Sequence, residues 1–231
     1  MAKRFAKLLL GVFLYAVGIV LTINANLGLA PWDVFHQGLS IRTGITMGQA
    51  SIYVGFVFVI LDSFLGEKLG WGTLLNIVLI GTFVDILMLN HLLPVFSGMV
   101  PRYLEMFAGM MVIGIASYYY ISAGLGSGPR DGLMVALTKR TTKSVRFIRN
   151  CIELCALAIG FFLGGSVGLG TLIMALSTGY FVQFAFKLFK YNVKETKHRF
   201  IDEDIKYLYD RFYDRKEGNN EKISEPFDEG E

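Results

Sequence analysis

Ala25-Asn-Leu-Gly-Leu-Ala-Pro-Trp-Asp33 and Ala123-Gly-Leu-Gly-Ser-Gly-Pro-Arg-Asp131 are two copies of one phrase, 98 residues apart. The same shift lays Gly70-Trp-Gly-Thr-Leu74 on Gly168-Leu-Gly-Thr-Leu172 without a gap. It also lays Leu65-Gly66 on Leu163-Gly164 and Gly81-Thr-Phe-Val84 on Gly179-Tyr-Phe-Val182. Matches clustered on Gly, Pro and Asp at one fixed offset mark a duplication. The repeated phrase has a local meaning. Pro31 and Pro129 suit the first position of a helix, where no backbone donor is lost. Asp33 and Asp131 then fall in the first turn, where a carboxylate meets free N–H groups and the positive end of the dipole. Gly28, Gly126 and Gly128 suit a tight turn leading in. Each copy therefore predicts a glycine turn running into a short helix.

Working outward, the surroundings are too apolar for a soluble domain: 53% of residues are hydrophobic and 18% charged, with a mean hydropathy of +0.49. Crossing a bilayer takes about 20 helical residues. Six segments qualify, at about 5–24, 46–65, 71–91, 103–123, 146–164 and 169–189. The stretches Asn26–Ile45 and Leu125–Val145 each hold a helical run too short to span, which re-enters the bilayer or lies at its surface. Each copy holds three spans, and an odd number forces the copies into opposite orientations. The expected fold is an all-α polytopic membrane protein: six transmembrane helices as two inverted three-span repeats, each with a re-entrant or interfacial half-helix. The membrane domain is 1–190, with repeat 1 at about 5–91 and repeat 2 at about 103–189. Residues 191–231 form a cytoplasmic tail, with Ile201, Ile205, Leu208 and Phe212 on one helical face and a polar, acidic, disordered end from 217.

Charge sets the orientation. With the N-terminus inside, Lys3, Arg4, Lys7, Lys68, Arg130, Lys139, Arg140, Lys143 and Arg146 lie on the cytoplasmic side, against Arg42 and Arg102 outside. The bias places both termini in the cytoplasm and the protein in the cell membrane. The first apolar run lacks a small-residue cleavage site and reads as a retained span. Basic residues at membrane edges account for the net charge of +3 without a nucleic-acid partner.

Chemistry-bearing residues are few. Asp85 and Glu153 sit inside spans, where ionisable groups are costly and point to function. Arg149 lies one turn before Glu153 and suits an ion pair, while Asn76, His36 and Arg42 are candidate neighbours for Asp85. His36, one turn after Trp32, reads as an interfacial anchor or a cavity-facing group, and Tyr118-Tyr119-Tyr120 as an aromatic belt. Asp33, Asp85, Asp131, Glu153, Arg130, Asn76 and His36 are the candidate pathway residues; Asp85 and Glu153 are expected to line one polar cavity near the repeat interface, with Asp33 and Asp131 near its two ends. Pro31, Pro129 and the three loop glycines are structural. Cys151 and Cys155, four apart on one helix, cannot pair with each other easily and read as small core residues. No nucleotide loop, haem or zinc motif, or nucleophile elbow occurs, so neither enzyme activity, a metal nor a cofactor is expected.

The duplicated Gly-x-Gly-x-x-Pro-x-Asp loop, and most specifically Gly128-Pro-Arg-Asp-Gly-Leu-Met134, resembles the YczE/YyaS/YitT group of bacterial membrane proteins. The likeness is nearest to the YczE-like branch and covers nearly all of 5–190; the tail is unlike the soluble domain of YitT-like members. The resemblance implies membrane architecture rather than an activity. From inverted repeats, broken helices and buried acids, the expected function is secondary transport of a small solute. The alternative is a membrane-embedded scaffold or regulator of a partner protein or complex. Expected partners are the lipid bilayer, an unidentified small solute, and a second copy or another membrane protein.

Overall fold

The computed structural model describes residues 2–126, 128–191 and 200–201, with only the backbone at Ala2, Asp131 and Arg146. Among these residues it is all helical: α1 (Ala2–Asn24), α2 (Pro31–Thr43), α3 (Met47–Phe64), α4 (Trp71–Leu89), α5 (Met99–Ser122), α6 (Pro129–Arg140), α7 (Val145–Phe162) and α8 (Leu169–Leu188). Adding 98 to α3 gives the bounds of α7, and the other three pairs agree within one residue at each end. Local chemistry sets these ends. Pro opens both short helices. Thr46 and Gln49 form a reciprocal capping box on α3, and the Ser144 hydroxyl caps α7. Gly28 (φ 105°) and Gly126 (φ 124°) hold the left-handed turns before α2 and α6. Gly128, expected to share that task, is extended at φ −62°.

Five helices, α1, α3, α4, α5 and α8, are long and apolar enough to cross a membrane. The sixth expected span, α7, matches α3 in length but carries Arg146, Arg149 and Glu153, which lower its hydropathy.

Packing is reciprocal between the halves. Gly11 of α1 lies against the backbone of Tyr119 and Tyr120 of α5, Gly18 against Gly109 and Ile113, and Thr22 against Gly109. As α1 runs forward α5 runs backward, so these repeat mates are antiparallel. The short helices cross over: α2 packs on α7, and α6 on α3. Gly72 donates its backbone N–H to Leu125 at 2.7 Å, and its mate Gly170 donates to Leu27 at 2.7 Å. α1 packs on α4 as α5 packs on α8. One symmetry fails: α3 lies along α4, whereas α7 and α8 share no comparable interface.

Two local expectations change, and a third lies mostly beyond the described residues. Cys151 and Cys155 are exposed, because α7 buries only a narrow stripe that includes Ile148, Ala156 and Gly160. Tyr120 is buried in the α1–α4–α5 core rather than belonging to a belt, while Tyr118 stacks on Phe189 at 4.2 Å. The expected amphipathic tail helix and disordered end lie outside the described residues, apart from Phe200 and Ile201. These two rest on the α3–α4 loop, with Ile201 N–H donating to Leu69 at 2.9 Å and Lys68 over the Phe200 ring.

Candidate functional site

The crossover of α2 and α6 brings the first turns of both short helices together. Trp32 and Arg130 are repeat mates, and the Arg130 guanidinium lies 4.3 Å from the centre of the Trp32 ring. Each residue thus touches its own mate in the other half. Phe58 of α3 meets Trp32 edge-on at 5.3 Å. A guanidinium held on an indole face is a favourable cation–π pair, strengthened where water is excluded.

Around the stack lie groups that cost energy to bury. Asp33 is 7% exposed and His36 3%, and His36 Nδ1 stands 3.8 Å from Asp33 Oδ1. Burial pushes the His36 imidazole below its usual pKa, with Arg130 acting in the same direction and Asp33 opposing both. His36 Nε2 is buried and has no hydrogen-bond partner among the described residues. His36 is therefore an interior group rather than an interfacial anchor. From α3, the buried Asp62 carboxylate lies against the backbone of Gly132, where any side chain would strike it. That contact brings a second acid onto the first turn of α6. Its mate Gly160 lies equally close to Val34 and Phe35 of α2, without a charge.

Thus Asp33, His36 and Arg130 come together, with Asp131 in the adjoining turn of α6. Asp85 does not join them. Its carboxylate accepts from Gly48 N–H at 2.8 Å and from the Thr46 hydroxyl, closing the start of α3 onto α4. Glu153 pairs with Arg149 at 3.1 Å on α7. The two acids are each bonded within their own half, and Asn76 is half-buried on α4, which packs on α1 and α3. Sequence reasoning missed Trp32 and Asp62 as site residues and left Glu105, a further buried acid, unremarked. Asp62 reads as a span-edge acid. Glu105, 4% exposed in α5 beside the Phe96 backbone, reads as lying near a membrane boundary. An acid's hydropathy is the same in either setting; only the fold reveals its burial.

Apolar helices with a buried polar crossing at their centre define a polytopic, all-helical integral membrane protein. The chain belongs to the family described as "Family of unknown function (DUF6198)", whose model matches residues 2–187. It is similar to "Uncharacterized membrane protein YczE" of Bacillus subtilis, with 39% identity over 76% of this chain and 81% of that protein. It is also similar to an "Uncharacterized protein" of Haemophilus influenzae, with 35% identity over 79% of this chain and 83% of that protein. "Uncharacterized protein YyaS" of Bacillus subtilis is 25% identical over 71% of this chain and 83% of its own length. No solved structure matches the chain.

Proposed function

We propose that this protein is a secondary transporter of a small polar solute in the cell membrane, built as two inverted three-span repeats with the α2–α6 crossing as its binding site. The antiparallel mates α1 and α5 and the reciprocal straps support the inversion. α7 is then the sixth span. Contacts at the two ends support an orientation with both termini inside. Lys139 pairs with Glu67 at 2.8 Å at the basic end, while Arg102 donates to Ala25 at 2.7 Å and the Ser166 N–H to Gln37 at 2.6 Å at the other.

The Trp32–Arg130 stack between the two broken helices carries the reading. Half-helix N-termini at a repeat interface are where transporters of this architecture hold polar substrates. Arg130 offers directional donors, Trp32 an aromatic face, and Asp33, Asp62 and His36 a means of discriminating charge. A purified-protein thermal-shift screen against metabolites and ions should find a solute that stabilises the wild type. That solute should lose its effect in Arg130→Gln and Asp33→Asn and be moved by proteoliposomes containing the wild type. Equal stabilisation of both variants would remove the site. A bound solute that is never moved would favour the scaffold reading, in which the same polar groups only order the interior.

A further inference from the structure

The closed α3–α4 seam has a precise register. Gly48, Ile52 and Gly55 of α3 meet Gly81, Asp85 and Ile77 of α4. Shifted by 98, the α3 positions become Arg146, Asn150 and Glu153 of α7. On the facing helix Gly81 becomes Gly179, which has open space before it among the described residues. The face of α7 that should meet α8 therefore lacks its neighbour and is polar. Asn150 is exposed, and the Arg149 and Glu153 side chains are 62% and 29% exposed. Glu153 lies in the middle of the 18-residue helix, a depth at which lipid offers no hydrogen bonds.

We propose that a second copy of this chain covers this face, two α7 helices meeting about a twofold axis along the membrane normal. An isologous contact needs a surface that is its own complement. Here each face presents one base and one acid a single turn apart. Two parallel copies bring Arg149 of one opposite Glu153 of the other with an offset of about 6 Å, which an arginine spans. An anionic lipid headgroup would match the arginine but leave the acid facing hydrocarbon. The inference rests on α7 lying in the bilayer and is independent of transport.

Cys151 and Cys155 stand about 160° round the helix from Glu153, so the reporter is Asn150→Cys, on the proposed face, in a Cys151→Ser/Cys155→Ser background. Mild oxidation of that full-length variant in native membranes should give a disulfide-linked dimer, absent from Cys151→Ser/Cys155→Ser. Arg149→Glu makes the face doubly acidic and Glu153→Arg doubly basic. Each alone should lose at least tenfold in cross-linked dimer, while the two co-expressed with different tags should link to each other. Arg149→Gln and Glu153→Gln, which add no repulsion, should show intermediate linking and normal melting, separating loss of contact from loss of fold. The proposal is overturned if the wild type is monomeric in nanodiscs, if the Asn150→Cys reporter does not cross-link, if the charge-reversed variants self-link as that reporter does, or if mixing them restores nothing.

Discussion

The α3–α4 seam and the α7–α8 seam occupy equivalent places in a duplicated framework, and only the first is shut. In the first half, two glycines let backbones touch and Asp85 fastens α4 to the start of α3. In the second half Gly48, Gly55 and Asp85 give way to Arg146, Glu153 and Gln183, and Gly179, the mate of Gly81, has no neighbour among the described residues. Elsewhere the halves agree closely, including the two 2.7 Å straps. Duplication has thus kept the framework while changing what one pair of helices can do. A helix without its neighbour is free to move or to bind, and the difference lies in three positions, two on α7 and one on α8.

The largest test of this contrast is steric. Gly48→Leu should displace the Gly81 carbonyl and cost roughly 3 kcal/mol or more of stability, since no flexible group is there to yield. Gly179→Leu should change stability by only about 0.5 kcal/mol. Similar losses of folded yield in fluorescence-detected size exclusion would mean that the second seam is closed in the membrane.

The turns should behave alike, which sharpens the comparison from the other side. Gly28→Ala and Gly126→Ala each combine a strained φ with a clash, against Gly168 and Gly70 respectively. Each should cost about 2 kcal/mol. Thermal melts differing by much more than about 1 kcal/mol would show that the pseudo-symmetry fails at the loops too.

Electrostatic changes come next. Asp85→Ala removes an anionic acceptor from Gly48 N–H and Thr46, a loss of about 2 kcal/mol. Gln183→Ala, at the equivalent place, should be nearly silent. The smallest effect is Glu153→Gln in the isolated protomer. It weakens an exposed one-turn ion pair worth about 0.5 kcal/mol, so its melting temperature should scarcely move in dilute detergent.

What was legible in the sequence was what local backbone chemistry dictates. Proline, glycine and aspartate at a fixed spacing announced α2, α6 and the turns before them. Apolar runs placed the long helices to within about four residues at their ends. Contacts across the crossover were not legible. Nothing in Trp32 or Arg130 alone says that each touches its mate, and pairing depends on helices distant in sequence. Asp85 and Glu153 stood out for their depth in apolar runs, yet each has a partner close to hand, a capped helix start in one case and an arginine one turn away in the other. Asp62 and Glu105, which lie nearer span ends, are the more deeply buried acids. Hydropathy reports distance from water along a chain, and burial by neighbouring helices is a separate matter.

The two straps have a consequence for the protein's birth. The carbonyl of Leu27 is satisfied by Gly170, and that of Leu125 by Gly72. Residues leave the ribosome in order, so the first broken helix must wait, its lead-in turn unfastened, until the last span is made. Neither copy is then a finished object. A chain stopped after α4 exposes a dangling half-helix and the face meant for its mate, a state that membrane quality-control proteases are equipped to recognise. Supplying the two copies as separate polypeptides in one cell should rescue both from degradation, each acting as the other's chaperone.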